Sequence, residues 1–272
     1  MPVVKWVGGK RQLLDRLLPL LPSRRIAQYC EPFVGGGAML FSLQPNIAYV
    51  NDVNDALMGV YRVIRDDVEA IIAELGVHRN EAGYFYEVRS WDRDRERYAS
   101  MSDVQKAARI IYLNRTCYNG LFRVNSAGEF NSPFGNYKNP SIVNAPLLRA
   151  VSQYLNKSGV HLSCADYAEV LGRIPGGTFV YLDPPYDPVS DTASFTGYDK
   201  GGFGREEQER LRSECDRLSG RGIRFMLSNS ATDFIRGLYA AYSVTVIRAR
   251  RAVNSNPAGR GEVEEVVVRN YE

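Results

Sequence analysis

The chain has 272 residues and a formal net charge of +3, and 44% of its residues are hydrophobic and 24% charged. This composition is typical of a globular protein with one large domain, or one domain carrying a sizeable insertion. No apolar run reaches the length of a membrane span and no leader segment opens the chain, so we expect a cytoplasmic protein without a membrane partner. The four cysteines and two histidines are too scattered for a zinc site, so we expect reduced thiols and no metal.

The first distinctive stretch is Trp6-Val7-Gly8-Gly9-Lys10, which precedes an amphipathic helix predicted over 11–21. The phosphate-loop pattern G-x-x-x-x-G-K-[ST] is absent, because Arg11 follows Lys10. What remains is an indole and an ammonium group on either side of a flexible glycine pair. That pair is suited to cover the flat ring and the carboxylate of a ligand, although a helix start with an incidental aromatic would look the same.

The next stretch predicts a strand over 26–30, a glycine turn at 35–37, a helix over 38–43 and a strand over 48–50. Asp52 follows the second strand, where an acid accepts from ribose hydroxyls in nucleotide-binding folds. The third glycine of G-x-G-x-x-G is missing, since Leu40 stands there, and Phe33 offers a ring instead. The pattern therefore predicts a site for one nucleoside rather than a dinucleotide.

Residues 54–157 interrupt this strand–helix rhythm. Helices are predicted over 57–75, 84–98 and 103–114, and the arginines of the second are expected to line a solvated face. Residues 118–138, called the arm below, predict a hairpin rich in Asn, Arg and Tyr, with turns at 119–120 and 126–128. Such side chains read base edges and phosphates, although a basic, aromatic hairpin is usually a plain surface loop.

The stretch Thr178–Tyr186 reads TFVYLDPPY and predicts a buried strand over 179–182. Asp183 follows at its carboxyl end, and Pro184-Pro185 ends the strand because proline has no N–H to donate. The Asp183 carboxylate and the Pro184 carbonyl can each hold one hydrogen of a planar amino group, while Tyr186 stacks on the base. The alternative is an aspartate that caps a loop.

After the insertion, strand and helix alternate again. Strands are predicted over 160–162, 223–227, 242–247 and 263–268, a helix over 206–218, and a basic loop over 248–251 and 254–260. This order predicts an α/β fold with helices on both faces of the sheet. The core domain would be split between 1–53 and 158–272, with 54–157 inserted as a mainly helical domain with a hairpin arm.

A set of motifs in fixed order resembles the Dam-type DNA N6-adenine methyltransferases of the alpha group. The motifs are 5–10 (KWVGGK), 31–37 (EPFVGGG), 51–52 (ND), 113–115 (LNR), 118–121 (YNGL), 128–131 (GEFN), 133–135 (PFG), 183–186 (DPPY) and 250–251 (RR). The resemblance covers nearly the whole chain. It implies a Rossmann-like methyltransferase sheet for the split core and a target-recognition domain for the insert.

The resemblance implies S-adenosylmethionine as methyl donor, with S-adenosylhomocysteine as product, and no metal. The donor contacts that it implies are Trp6, Lys10, Phe33, Gly35, Gly36, Gly37, Asp52, Asp166 and Asp183. The catalytic set that it implies around a flipped adenine is Asp183, Pro184, Pro185 and Tyr186. Transfer of the methyl group would be direct.

The resemblance also implies double-stranded DNA as the partner and GATC as the target. The DNA contacts that it implies are Lys5, Asn119, Leu121, Arg123, Asn125, Asn131, Pro133, Tyr137 and Lys138, with Arg89 a weaker candidate. Asn136 departs from the pattern, which has an arginine there, and predicts a looser grip on phosphate or flanking sequence. A cognate restriction endonuclease is left open as a partner, and a monomer is the expected state.

Three alternatives stay open at this point. An adenine methyltransferase with another target sequence would carry the same motifs. A nicotinamide-dependent oxidoreductase would account for the glycine turn and Asp52, but it leaves the 183–186 motif and the arm without a role. A non-catalytic DNA-binding module would account for the arm, but not for Asp183 and Tyr186.

Overall fold

The computed structural model describes residues 2–6, 8–189, 202–250 and 262–272. The chain forms two compact units. The first unit contains Met1–Gly9, Gly35–Gln44 and Asp52–Cys164, and the second contains Lys10–Val34, Pro45–Asn51 and Ala165–Glu272. The predicted domain boundaries at 53/54 and 157/158 stay a prediction.

The strands form one seven-stranded sheet flanked by helices, in the order β3-β2-β1-β4-β5-β7-β6. Their bounds are Gln28–Glu31 (β1), Ile47–Asn51 (β2), Val160–Ser163 (β3), Phe179–Leu182 (β4), Phe225–Ser230 (β5), Ser243–Arg250 (β6) and Glu262–Arg269 (β7). Strands β2, β1, β4 and β5 are parallel to one another, whereas β7 is antiparallel to both β5 and β6. The α/β fold class is confirmed, and the carboxyl ends of β1, β4 and β5 share one edge.

Three helices of the second unit cover one face of its strands: α9 (Tyr167–Arg173), α10 (Arg205–Gly220) and α11 (Asp233–Leu238). Alternate strand residues face these helices, as period-two side chains must. The buried cluster includes Val180, Leu182, Phe225 and Leu227 from the strands, and Leu211, Cys215 and Leu218 from α10. The spacing of 211, 215 and 218 is that of one helical face, which is why this otherwise highly charged segment folds as a helix here.

A short helical segment opens the second unit. Lys10–Leu13 and Leu18–Leu20 are 3-10 turns on either side of a single α-helical turn, α1 (Leu14–Leu17). The prediction of one continuous helix over 11–21 was therefore wrong. Pro19 has no N–H for an intrahelical bond, so the last turn tightens into the 3-10 form.

The first unit is mainly helical. Its helices are α2 (Ala38–Leu43), α3 (Asp55–Asp66), α4 (Val68–Gly76), α5 (Ala82–Ser90), α6 (Arg95–Ser100), α7 (Asp103–Thr116) and α8 (Ala145–Leu155), with a 3-10 turn at Trp91–Arg93. The predicted helices over 38–43 and 103–114 are confirmed. The single helix over 57–75 was wrong, because Asp67 takes φ −145° and ψ 60° and divides α3 from α4. No glycine or proline marks that break, and both halves keep one apolar face.

The arm folds back on itself with two isolated antiparallel bridges, Cys117 with Phe134 and Val124 with Phe130, instead of a continuous ladder. Its tip is an Asx turn, in which Asn125 Oδ1 accepts from the N–H groups of Ala127 and Glu129, each at 3.0 Å. The arm is thus a hairpin held by side chains as much as by strand pairing.

A buried ion pair ties the arm to the 3-10 turn Trp91–Arg93 and to α7. Arg109, 3% exposed, lies 2.8 Å from Asp92 Oδ2, which also accepts from the N–H of Phe130 at 2.7 Å. Arg93 Nη2 donates to the carbonyl of Phe130 at 2.8 Å. Arg93, Arg95 and Arg97 are exposed, as expected of a solvated face, and Arg93 in addition holds the arm's main chain.

Three expectations concern features that the described residues do not contain. Residues 251 and 254–260 of the predicted basic loop lie outside the described residues. Across 2–6, 8–189, 202–250 and 262–272, no helix is long and apolar enough to cross a membrane. Within the same ranges, no group of three His, Cys, Asp or Glu side chains is arranged to hold a metal ion.

Asn114 generates a stability prediction for the first unit. This fully buried side chain accepts from Lys5 N at 2.8 Å and donates to Lys5 O and Gly120 O at 2.7 and 2.9 Å. We expect Asn114→Ala to lower the free energy of unfolding by about 2–3 kcal/mol in urea denaturation, because three main-chain groups lose their partner.

Asn156 is the matched control. It also donates to main-chain carbonyls, of Arg65 and Ser152, but it is exposed. Water can replace those bonds, so we expect Asn156→Ala to cost less than about 1 kcal/mol. Equal losses for the two variants would contradict the importance assigned to the buried amide.

Candidate active site

Asp183 lies directly after β4, at the shared carboxyl edge of the parallel strands. Lys10 Nζ is 2.7 Å from Asp183 Oδ1 and 4.4 Å from the centroid of the Tyr186 ring. Lys10 is 4% exposed, so its charge depends on this carboxylate and this ring face. The structure therefore brings together three of the predicted site residues, one cation, one anion and one aromatic ring.

Burial raises the pKa of Asp183 from its ordinary value to about 6. The Lys10 ammonium opposes this rise by favouring the charged carboxylate, and the carboxylate of Glu265 adds to it. The group is thus ionised at neutral pH but poised close to titration. A carboxylate in this state is a strong hydrogen-bond acceptor.

Glu265 is a site residue that sequence reasoning missed. It lies in β7 opposite Ser230 of β5, and its Oε2 accepts from the Tyr186 hydroxyl at 2.7 Å. Since β7 runs antiparallel to β5, an early residue of β7 meets the edge where the parallel strands end. The signal in the sequence was a charged pair, Glu264-Glu265, between valines of the predicted strand 263–268, and its pairing partner could not be read from periodicity.

The two prolines differ in their hydrogen bonding. The Pro185 carbonyl accepts from Gln208 Nε2 at 2.8 Å. Within the described residues no hydrogen bond to the Pro184 carbonyl is found. Among the described residues, the Pro184 carbonyl, which is the acceptor assigned to a substrate amino group, is therefore the one of the two without a protein donor.

Phe33 and Asp166 follow strands β1 and β3 in the chain, and both lie in the second unit. Phe33 packs against Tyr167 and Phe203, with ring centroids 5.1 and 5.8 Å apart. Asp166 caps α9 by accepting from Ala168 N, and Arg210 donates to both of its oxygens. Burial raises the pKa of this carboxyl, but these hydrogen bonds outweigh burial, so the pKa is lowered from its ordinary value. Its side chain is occupied by these contacts, so its assignment as a donor contact stays a prediction.

The glycine turn and Asp52 lie in the first unit. Asp52 Oδ2 accepts from Gly35 N at 3.0 Å, and its Oδ1 accepts from Asn54 N at 3.0 Å. The Tyr61 hydroxyl, which sequence reasoning missed, donates to the Gly35 carbonyl at 2.8 Å. Gly35 has φ +48°, and a Cβ on it would lie 3.0 Å from the Trp6 ring. Only glycine suits this close approach of main chain to indole.

Several predicted DNA contacts are neighbours in the first unit. Lys5 is exposed, and its Nζ lies 5.9 Å from the centroid of the Tyr137 ring. Gly120, at φ +66°, would carry a Cβ only 2.5 Å from Lys5 Cδ, so the turn after α7 accommodates this lysine. Asn119 is exposed at φ 58°, a left-handed conformation that asparagine tolerates. Tyr118 beside it is 54% exposed and was not singled out from the sequence.

The remaining arm residues fall into two groups. The first group lies at the surface: Arg123, Pro133 and Lys138 are exposed, and Leu121 is half-buried. Within it, Arg123 Nε donates to Asn131 Oδ1 at 2.7 Å. Asn125 instead uses its side chain within the Asx turn and on Glu129 Oε2 at 2.8 Å. Arg89 Nη1 donates to Ser132 O at 3.3 Å, so it supports the arm from α5. Contact of any of these side chains with DNA stays a prediction.

A carboxylate and a main-chain carbonyl at a strand end, beside a ring that can stack, suit the amino group of a nucleobase. This geometry suits the class of enzymes that modify an amino group of a nucleic acid base. Residues 6–253 match the family of D12 class N6 adenine-specific DNA methyltransferases. The chain belongs to this family and is an adenine-specific DNA methyltransferase.

Relatives with known names agree with this assignment. A Type II methyltransferase of Lactococcus lactis subsp. cremoris is 42% identical over 99% of this chain and 95% of its own length. A Type II methyltransferase of Methanocaldococcus jannaschii is 38% identical over 99% of both chains. The DNA adenine methylase of Escherichia coli K12 is 34% identical over 97% of this chain and 93% of its own. The suspected likeness to Dam-type enzymes is confirmed.

The pKa of Asp183 predicts the pH dependence of methyl transfer. Below about 6 the carboxyl becomes protonated and is a much weaker acceptor for a substrate amino group, so the single-turnover rate should fall by up to about tenfold per pH unit there and level off above it. Rapid-quench assays with labelled methyl donor across the folded pH range provide the measurement.

Glu265→Gln is the matched control for this profile. It keeps an acceptor for the Tyr186 hydroxyl but removes a negative charge that raises the pKa of Asp183. The midpoint should therefore move to lower pH. A rate that stays constant from about pH 5 to pH 8 in protein that remains folded would rule out titration of Asp183 as the controlling step.

Proposed function

We propose that the enzyme transfers a methyl group from S-adenosylmethionine to N6 of an adenine that is flipped out of duplex DNA, within the target GATC. The observation that carries this proposal is the group at the end of β4, where Lys10, Asp183, Tyr186 and Glu265 are linked by contacts of 2.7 to 4.4 Å. An adenine amino group inside a duplex is stacked and paired, so the base must leave the helix to reach such a group.

Asp183 and Pro184 would each accept one hydrogen of the adenine amino group. Lys10 engages Asp183 Oδ1, so the amino hydrogen is assigned to Oδ2. Holding both hydrogens draws the nitrogen out of conjugation with the ring and directs its lone pair toward the incoming methyl group. This is catalysis by positioning, for which the carboxylate need not be a strong base.

Tyr186 would stack on the flipped adenine. Its hydroxyl is held by Glu265, and Lys10 lies over its ring, so the ring has little freedom to rotate. A prearranged ring costs less entropy on binding than a mobile one. Stacking on a base is worth about 1–3 kcal/mol in proteins that bind single strands.

S-adenosylmethionine is proposed as the donor from the chemistry of residues taken in each unit by itself. When bound, it supplies a methyl group activated by attachment to a positively charged sulfur. The Gly35 turn lies close to the Trp6 ring, Asp52 carries a fixed carboxylate for ribose hydroxyls, and the buried Lys10 ammonium suits the donor's carboxylate. The proposed donor contacts are Trp6, Lys10, Phe33, Gly35, Gly36, Gly37, Asp52, Asp166 and Asp183.

The arm would read the target sequence. Arg123 is assigned to a guanine and Lys5 to the first guanine, because both are exposed cations next to other candidate contacts. Leu121 and Pro133 would touch a thymine methyl group, and Asn119 and Tyr137 would fill the space left by the adenine. Asn125, Asn131 and Lys138 are assigned to phosphate or sugar.

GATC is proposed from the resemblance of the arm motifs to Dam-type enzymes, and another target is the competing proposal because Type II methyltransferases match the chain as well. Type II relatives also support a cognate restriction endonuclease as a functional partner. We propose a monomer as the active form.

Mapping of methylated adenines tests the reaction and the target together. Plasmid DNA from a host without adenine methylation, expressing this chain, should carry N6-methyladenine at GATC when sequenced at base resolution. Methylation at another motif would overturn the GATC assignment and leave the reaction standing. DNA without N6-methyladenine, from cells that contain folded enzyme, would overturn the proposed reaction.

Removal of the Asp183 carboxylate tests its role in the same assay. We expect Asp183→Ala to bind duplex DNA normally and to lose methyl transfer by at least about 100-fold, because one amino-group acceptor is gone. Asp183→Asn has nearly the same volume and serves as the second variant if loss of the partner of Lys10 destabilises the alanine form. Methyl transfer at the normal rate by both folded variants would refute the assigned role.

Arg123 and Lys138 form a contrasting pair for DNA recognition. We expect Arg123→Ala to cost about 1–3 kcal/mol at one guanine position, measured by competition with single-base variants of the target. Lys138→Ala should weaken binding to all sequences alike and reduce the salt dependence of binding. A uniform loss for Arg123→Ala would reassign this arginine to phosphate.

A further inference from the structure

The loop after β4 is closed by hydrogen bonds that run through two side-chain amides. The Pro185 carbonyl accepts from Gln208 Nε2 at 2.8 Å, and Gln208 Oε1 accepts from Asn229 Nδ2 at 3.0 Å. Asn229 Oδ1 in turn accepts from the N–H of Asp187 at 3.0 Å. The hydrogen bonds thus link Pro185 and Asp187, the two neighbours of Tyr186, through the side chains of Gln208 and Asn229. These four residues are called the amide clamp below.

The direction of every bond in the amide clamp is fixed by its ends. A proline has only a carbonyl to offer, so Gln208 must present its NH2 to Pro185 and its oxygen to Asn229. The Asp187 end is an N–H, so Asn229 must present its oxygen there. Each amide therefore has one orientation, and reversing either one would place two acceptors or two donors face to face.

Burial makes these bonds consequential. Gln208 and Asn229 have no exposed surface, and Asp187 is 3% exposed. Polar groups at this depth are costly to leave unpaired, because water cannot replace a lost partner. The sequence signals nothing of this, since a glutamine in a charged helix and an asparagine in a strand are ordinary residues.

The amide clamp is anchored to three elements of the second unit. Gln208 belongs to the first turn of α10, and Asn229 lies within β5, where its Oδ1 also accepts from Ser230 N at 2.8 Å. The Asp187 carboxylate accepts from the Thr232 hydroxyl at 2.6 Å, and Thr232 caps α11. The turn that carries Tyr186 is thus tied to the hydrophobic core.

We infer that Gln208 and Asn229 are positioning residues, which fix the Pro185–Asp187 turn and so hold the Tyr186 ring and the Pro184 carbonyl in place for the adenine. This inference rests on the proposed function. Neither residue needs to touch a substrate. Their contribution is to the geometry of the reacting complex, so it belongs in the rate of the chemical step rather than in the affinity for donor or DNA.

Asn229→Asp and Gln208→Glu test the amide clamp with almost no change of volume. In the first variant an ionised oxygen faces Gln208 Oε1, and in the second it faces the Pro185 carbonyl. We expect the single-turnover rate to fall about tenfold to 100-fold, with the dissociation constants for S-adenosylmethionine and DNA within about twofold of the parent.

A pH series gives the readout that loss of stability alone would not. A protonated carboxylic acid can donate the missing hydrogen bond, so the ratio of variant to parent rate should recover as the pH is lowered. Protonation of Asp183 slows both proteins at low pH, and taking the ratio of their rates cancels this shared effect. A ratio that stays low at every pH, or parent-like rates in both folded variants, would overturn the inference.

Asn270→Asp is the matched control at the opposite end of β5. Asn270 Oδ1 accepts from Phe225 N at 2.8 Å, and its Nδ2 donates to Ile223 O at 2.8 Å. This variant should melt at a lower temperature but transfer methyl groups at the parent rate. An equal loss of rate in Asn270→Asp would mean that general destabilisation explains the effect, and would overturn the inference.

Hydrogen exchange separates failure of the amide clamp from failure of the proposed function. In the protein without ligands the amide of residue 187 should exchange slowly, and Asn229→Ala, which removes the oxygen that accepts from this N–H, should speed its exchange at least about tenfold at neutral pH. A parent enzyme that methylates no DNA would refute the proposed function, while this protection would still support the clamp. Unchanged protection in the variant would overturn the clamp itself.

Discussion

The contact on which the site depends is the ion pair between Lys10 and Asp183. Lys10 is almost fully buried, and a buried ammonium is tolerated only with a close anion or ring face, both of which it has here. The pair keeps Asp183 ionised against a burial effect that raises its pKa. It also consumes one carboxylate oxygen, which leaves a single directed acceptor. A site that must hold a planar amino group in one orientation gains from this restriction.

The carboxyl end of β5, the strand next to β4, carries buried polar residues where apolar residues would be easier to bury. Ser228, Asn229 and Ser230 are buried at the end of β5, and the Tyr181 hydroxyl contacts Ser228 Oγ at 2.7 Å. The predicted strand ends at 227 because polar residues follow, whereas β5 continues to Ser230. Satisfied polar networks of this kind fix one arrangement of side chains where apolar packing would permit several. The side-chain arrangement at the carboxyl end of β5 is therefore specified by hydrogen bonds rather than by hydrophobic burial.

Sequence patterns identified what depends on neighbours along the chain. The helix over 38–43, the strand before Asp183 and the glycine turn followed by an acid were all visible, because their signals are local. The break at Asp67 was hidden, since both α3 and α4 keep an apolar face and no proline separates them. Glu265 and Gln208 could not be found either. Their partners, Tyr186 and Pro185, are 79 and 23 residues away, and only the order of the strands brings them together.

The arm follows a different rule from the sheet edge. Asn114, Asp92 and Arg93 bind main-chain groups of the segments that they support, so residues outside the arm help the arm's own Asn125 to fix its backbone. Arg123, Lys138 and Asn119 are exposed on that supported backbone. Substitutions among such exposed residues change what the arm contacts without changing its path. Asn136 illustrates this, because it occupies a left-handed position at φ 51°, which asparagine tolerates well, in place of the arginine of the resembling enzymes. The effect of Asn136 on the grip on phosphate or flanking sequence stays a prediction.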